Sequence, residues 1–382
     1  MPTEIEGDLD RAISHSNIEF SLTAYAGLRH QDGNLFFSPY SICSALAMAY
    51  AGARGETQRQ MAEALHLPSD PLRVHAGFAA LNRRLRGDGQ DRAYKLSVAN
   101  AVWGARGVGF RSDFLTTVET AYGGKLAELD FAGASEAARA TINQWVEAET
   151  ENKIKDLLSR GTIAADTLLI LTNAIYFKAD WADQFDERLT KQSDFMLTSG
   201  QKARVPLMEH SGTFGYVEGS DFQALEMPYA GAELAMVVIL PRLPDGPETV
   251  EKALTVDKLS STLSRLSRRE VLVQMPKFKL TESLELSSLL SGLGMPLAFS
   301  GEADFSGMAE MHRVFFSAVV HKAYVDVDEK GTEAAAATAV VLRGLAILKP
   351  VMFRADHPFL FLIRDRRSGI ILFIGRVMNP VP

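Results

Sequence analysis

The sequence predicts one α+β domain, and three observations predict it. From the N-terminus to about Arg160 the chain reads mainly as helix, and from about Lys202 it reads as strand. No internal repeat, no Gly/Ser/Pro-rich linker and no regular strand–helix alternation divides the 382 residues. The composition, 47% hydrophobic and 23% charged, suits a packed core and excludes disorder along the whole chain.

The elements follow in order. Asp10 to His30 is expected to be helical. Leu35-Phe36-Phe37 is a short apolar run, and Ser38-Pro39 then opens a helix that carries Ile42, Leu46 and Ala49 and stops near Gly52. Another helix begins at Thr57. Tyr94 to Val102 and Leu168 to Phe177 read as strands. Ile142, Trp145, Val146, Ile154, Leu157 and Leu158 repeat at i, i+3, i+4 and predict one helix over Thr141–Leu158. Leu234–Leu240 is an unbroken apolar strand, and Val271–Leu280 alternates as one strand. Ala323, Val325 and Val327 alternate with Tyr324, Asp326 and Asp328. Phe359–Ile363 and Ile370–Ile374 flank the turn Asp365–Gly369 as a hairpin. Glu329–Val341 is in conflict with itself: four alanines favour helix, yet a period-2 strand runs into them and Thr338, Val340 and Val341 favour strand. Such local conflict is where functional segments are expected.

The chemistry excludes more than it offers. Forty Lys+Arg against 47 Asp+Glu give a net charge of −7, so no global field attracts nucleic acid or an anionic membrane. No run of about 18 apolar residues spans a bilayer. The first 20 residues lack the apolar segment of a signal peptide, so the chain is expected to be cytoplasmic or a mature form whose leader was removed. A single cysteine, Cys43, rules out an internal disulfide and a Cys-based metal cluster, and its place in an apolar helix makes it a small buried hydrophobe. The eight histidines show no metal-ligand spacing, and no nucleophile elbow or phosphate loop occurs. His321 shares a strand face with Ala323 and Val325 and is expected inside, hydrogen-bonded. Two arginine clusters remain: Arg83, Arg84 and Arg86 near a helix end, and Arg265, Arg268 and Arg269. Each reads as a solvated face, with a polyanion site as the alternative.

The motifs add up to a family. Asn34–Ser41 with Ala45–Met48 and Gly52–Thr57; Ile142–Val146 with Lys153-Ile154; Leu171–Lys178 with Trp181; Leu225–Tyr229; Pro276-Lys277-Phe278; Ala303–Gly307; His321–Ala323; Asp328–Ala335; and Asp356–Phe361 occur in the order and spacing that resemble the serpins along nearly the whole chain. The resemblance implies a single domain over 1–382 with three β-sheets, eight or nine helices and an exposed reactive loop at about 329–350. It implies a protease inhibitor rather than an enzyme, acting without cofactor or metal, as a monomer in a covalent 1:1 complex with a serine protease. In such inhibitors the protease attacks the loop as bait, and the cut loop inserts as a new strand in the large sheet.

Residues take their expected roles from that resemblance. Ser38, Ser41, Asn173 and His321 match the shutter beneath the opening strands, and Trp181 matches the breach where insertion begins. The hinge covers Glu329, Gly331, Thr332, Glu333, Ala334, Ala335, Ala336 and Ala337. Thr332, Ala334, Ala336, Thr338 and Val340 would turn inward on insertion, and all are small or β-branched. Gly331 is expected to pivot through an unusual φ. No proline interrupts Glu329–Lys349, so every N–H can join a ladder. Counting from Glu329 and back from Pro358 both place the scissile bond at Leu345–Ala346, which suits a chymotrypsin-like or elastase-like pocket. Arg343–Gly344 would suit a trypsin-like one. A non-inhibitory serpin (carrier, chaperone or storage protein) and a hydrolase with a dispersed triad are the other function classes.

Overall fold

Ser38 caps a helix, as its place before Pro39 predicts. In the computed structural model, which describes residues 4–86, 92–244, 246–311, 313–332 and 350–381, the Ser38 hydroxyl accepts from the Ser41 N–H at 3.1 Å, and Pro39 sits in the first turn, where a missing N–H costs nothing. Nine α-helices lie among the described residues: α1 (Glu4–Leu28), α2 (Pro39–Tyr50), α3 (Gly55–Ala64), α4 (Pro71–Arg86), α5 (Ser112–Thr117), α6 (Phe131–Glu149), α7 (Pro247–Lys252), α8 (Val256–Ser264) and α9 (Ser287–Gly292). α2, which has no charged side chain, runs buried along its whole length.

The strands are β1 (Leu35–Phe37), β2 (Tyr94–Ala105), β3 (Lys125–Leu129), β4 (Leu169–Asp180), β5 (Lys191–Met196), β6 (Lys202–Glu218), β7 (Phe222–Pro228), β8 (Leu234–Pro241), β9 (Ser267–Pro276), β10 (Phe278–Glu285), β11 (Phe316–Val327), β12 (Gly331–Thr332), β13 (Val351–Arg354), β14 (Phe359–Asp365) and β15 (Ile371–Val377). Six of them form one sheet in the order β10-β11-β12-β4-β2-β3. The other nine pair continuously, because the 17-residue β6 changes partner along its length. Its start pairs with β5, its middle with β9 and its end with β7, so the two smaller sheets of the expected three are hydrogen-bonded into one.

The six-stranded sheet holds the unusual feature. β4 and β11 lie side by side and parallel from Leu169↔Phe316 to Tyr176↔Tyr324. Beyond the two tyrosines they part, and β12 fills the gap, antiparallel to both, with Thr332 opposite Val327 on one side and Ala179 on the other. One large core lies between the two sheets and around α1–α4. A smaller one, with Trp103, Ile142, Val146, Tyr176 and Tyr324, lies between α6 and the other face of the six-stranded sheet.

Two expectations are corrected. The helix expected over Thr141–Leu158 runs from Phe131 to Glu149. It begins at Asp130, whose carboxylate accepts from the Gly133 N–H, and it ends where Glu151 and Asn152 take positive φ. Ile154, Leu157 and Leu158 are buried, but in turns; Asn143 holds them by accepting from the Leu158 N–H at 2.9 Å and donating to its carbonyl at 3.0 Å. The strand expected over Val271–Leu280 is two strands in different sheets. Pro276 closes β9, and Lys277 turns away to donate its N–H to the Pro206 carbonyl.

Candidate functional site

Strand register places three polar side chains in one row. Asn100 of β2 lies opposite Asn173 of β4, and Asn173 lies opposite His321 of β11. All three are buried, facing the N-terminus of α2. The Asn173 amide nitrogen donates to the Ser41 carbonyl at 3.1 Å and also meets the Ser41 hydroxyl and the Asn100 side-chain oxygen. The Ser38 N–H donates to His321 Nε2 at 3.1 Å, so Nε2 carries no proton. The neutral imidazole therefore has its proton on Nδ1, which donates to the Asn173 side-chain oxygen. Burial pushes the His321 pKa down to about 3, in keeping with this tautomer. Ser38, Ser41, Asn173 and His321, drawn from three separate stretches of sequence, thus form one network. Its Asn173–His321 bond crosses the seam between β4 and β11.

A second cluster surrounds β12. Trp181, just past the end of β4, donates its N–H to the Lys330 carbonyl at 2.8 Å and its indole Nε1–H to the Asp328 carbonyl at 3.0 Å. Its ring stacks on Tyr229 at 4.6 Å. The Tyr229 hydroxyl bonds Thr332 Oγ1 at 2.8 Å, and Thr332 is fully buried. Glu329 is also buried; it accepts from Lys277 Nζ at 2.7 Å and from the Thr190 hydroxyl at 2.7 Å. Burial pushes the Glu329 carboxyl up, but Lys277 and Thr190 outweigh it and leave the group below its ordinary value. Gly331 does not take the unusual φ expected of it. Its need for glycine is steric: a Cβ there would stand 2.1 Å from the Ala179 carbonyl oxygen.

His321 is spent on two protein partners, and no group of His, Cys, Asp or Glu among the described residues is placed to hold a metal. Polar residues bridge two parallel strands, and a third strand is started between their ends.

A family model for serpins (serine protease inhibitors) matches residues 15–380. The chain belongs to the serpin family. The human leukocyte elastase inhibitor is 41% identical over 379 residues, spanning 96% of this chain and 99% of its own. Among solved structures, human thyroxine-binding globulin superposes with a TM-score of 0.90 at 30% identity, covering 98% of this chain and 100% of its own. A highly specific serpin of the insect Tenebrio molitor superposes with a TM-score of 0.88 at 30% identity, covering 97% and 98%.

For this serpin the structure places Ser38, Ser41, Asn173 and His321 together, and brings Trp181 onto the backbone of Asp328 and Lys330, the same stretch that carries Glu329, Gly331 and Thr332. Glu333, Ala334, Ala335, Ala336, Ala337, Arg343, Leu345 and Ala346 lie outside the described residues. Of the basic cluster on α4, Arg84 pairs with Asp365 at 3.0 Å and Arg86 donates to the Tyr122 carbonyl at 3.0 Å, so two of the three are engaged within the fold. Tyr229, Lys277, Thr190 and Asn100 went unnoticed as site residues. Tyr229 and Lys277 sit inside two of the family motifs, which was the available signal.

Proposed function

We propose that this serpin is a suicide-substrate inhibitor of chymotrypsin-like or elastase-like serine proteases. The observation that carries the reading is the seat of Thr332, already paired between β4 and β11 and antiparallel to both. A chain continuing in that direction enters the seam between Tyr176 and Tyr324, and the residues that follow Thr332 are Glu333 and four alanines. Alanine loses almost no side-chain entropy on ordering and fits where large groups would not.

In this reading the protease serine attacks the Leu345 carbonyl, the acyl-enzyme forms and the amine of Ala346 leaves. The freed loop then inserts from the hinge, carrying the acylated protease along the sheet. Ser38, Ser41, Asn173 and His321 form the latch that has to reopen, and Glu329, Gly331, Thr332 and Trp181 the point of entry. The similarity to the human leukocyte elastase inhibitor supports an apolar specificity pocket. Arg343, two residues earlier, would direct a trypsin-like protease instead.

Incubation with a panel of serine proteases tests this. An SDS-resistant 1:1 adduct is expected with chymotrypsin-like or elastase-like members, and the released C-terminal peptide is expected to begin at Ala346. A peptide beginning at Gly344 would assign specificity to Arg343. Cleavage without adduct across the panel would move the protein to the non-inhibitory serpins.

A further inference from the structure

His357 is built differently from His321. Both of its ring nitrogens face acceptors: Nδ1 stands 3.0 Å from an Asp356 carboxylate oxygen, and Nε2 stands 2.7 Å from the Pro241 carbonyl oxygen. A neutral imidazole has one N–H and can satisfy only one of them, whereas the imidazolium satisfies both. The side chain is 11% exposed, so water is a poor substitute for either partner. Asp356 is the charged group that acts on the ring; with the Pro241 carbonyl it outweighs burial and raises the pKa above its ordinary value of 6.5. From β8 a backbone carbonyl faces the ring, and Arg242, the next residue, is turned to Glu218 at 2.6 Å.

His357 also ends a chain of side chains that crosses the sheet. Register sets Glu209 of β6 opposite Gln274 of β9, and Gln274 opposite Arg354 of β13. The Gln274 amide donates to Glu209 and accepts from Arg354, each at 2.5 Å. Arg354 Nε donates to Asp356 at 2.7 Å, Asp356 holds the His357 ring, and the ring reaches Pro241 at the end of β8. β13 depends on such ties. It is a four-residue edge strand, and β9 is its one neighbour in the sheet. It also follows directly on residues 333–349, so it anchors their C-terminal end.

We propose that His357 is a proton-operated clasp on β13. Charged, it ties the segment after β13 to β8; on losing its proton it drops one of its two partners and lets β13 part from β9. A raised folded pKa means that this tie is complete below 6.5 and is lost as pH rises through the folded value. The consequence rests on the inhibitory reading. While the chain is uncut, full insertion has to pull β13 off β9, so the clasp sets how long the intact protein keeps its bait available. That lifetime shortens on the alkaline side.

The test follows hydrogen exchange of the Val351–Arg354 amides in the full chain between pH 6 and pH 9, corrected for the intrinsic pH dependence of exchange. The parent is expected to lose protection as pH rises, by up to about 10-fold for each unit by which the fold raises the His357 pKa. His357→Arg, with a fixed charge and several donors, should lose none, and His357→Gln should be weakly protected throughout. Constant protection in the parent, or an equal loss in His357→Arg, would overturn the proposal. Should the variants not fold, the imidazole titration of the parent by NMR decides: a His357 midpoint at or below 6.5 would overturn it. The consequence is read as the half-life of adduct-forming activity on incubation without protease, shorter at pH 9 than at pH 6 in the parent and unchanged in His357→Arg. A half-life indifferent to pH would overturn the link to the bait. If no adduct forms with any chain, the inhibitory reading fails, and the exchange data still decide the clasp.

Discussion

His321 is held neutral by burial, and its partners fix which nitrogen carries the proton. Its Nε2 faces a backbone donor, the Ser38 N–H, so a proton there would set two donors against each other and break the bridge to α2. The folded pKa, about 3, lies below the ordinary value of 6.5. Between those values the unfolded chain binds a proton that the native chain refuses, so stability is lost as pH falls from 6.5 towards 3. One such proton contributes a slope of about 1.4 kcal/mol per pH unit. His75, pushed down to about 4, and His210, also lowered, act in the same direction, whereas His357, raised despite burial by Asp356 and the Pro241 carbonyl, acts in the opposite one. The expected outcome is that His321→Gln loses up to about 2 kcal/mol less than the parent between pH 6.5 and 5, measured by urea unfolding at each pH. Equal losses would show that His321 does not titrate on unfolding.

At the scale of the element, β12 consists of two residues, and each is fixed by a different constraint. Gly331 passes the Ala179 carbonyl where no Cβ fits, and Thr332 is buried with its hydroxyl on Tyr229. Thr332→Arg would place an unpaired charge in that site, at a cost of several kcal/mol, and would expel the hinge from the seam. It is expected to turn inhibitor into substrate: loop cleavage continues while the stoichiometry of inhibition rises several-fold, read as the ratio of adduct to cleaved chain on SDS gels. An unchanged ratio would mean that insertion does not start at Thr332. Tyr229→Phe should have a milder effect in the same direction, because it leaves one buried hydroxyl without its partner, worth about 1 kcal/mol. The sequence carried this element only through the order of its motifs. Periodicity revealed the inward faces of β11 and α2, since those alternate or repeat cleanly. It misplaced α6, because Ile154, Leu157 and Leu158 are buried at helical spacing while two residues with positive φ have already ended the helix. It fused β9 with β10, because Pro276 and Lys277 change sheets without interrupting the apolar alternation. Lys277 and Thr190 were invisible as partners of Glu329, since only the fold brings segments so far apart in sequence together.

At the scale of the molecule, the six-stranded sheet has an internal weakness that the fold has not repaired. β4 and β11 are a parallel pair joined edge to edge over eight register positions. Parallel ladders carry slanted hydrogen bonds and are slightly less stable per residue than antiparallel ones. A strand continuing from Thr332 would run antiparallel to both neighbours, replacing one parallel contact with two antiparallel ones. It would also bury Ala334, Ala336, Thr338 and Val340 against the core face. In the intact chain, residues 333–349 are tied at both ends, to Thr332 and to Pro350 before β13, which pairs with β9 in the other sheet. Full insertion would pull the C-terminal end away from that anchor, so covalent continuity opposes it. A cut near Leu345 removes the opposition and leaves the pairing energy. Nicking is therefore expected to raise thermal stability, the reverse of its usual effect on a folded chain. At roughly 1–2 °C per kcal/mol for a chain of this size, a net gain of several kcal/mol reads as a rise of about 5–10 °C. The measurement is a melting curve before and after limited proteolysis with both fragments retained, repeated in denaturant in case the intact protein already melts too high for the rise to register. Thr332→Arg, cut at the same bond, should show a smaller rise, which ties the gain to entry at the hinge rather than to relief of strain elsewhere. An unchanged or lower midpoint in the cut parent would remove loop insertion as the mechanism and leave the fold as described.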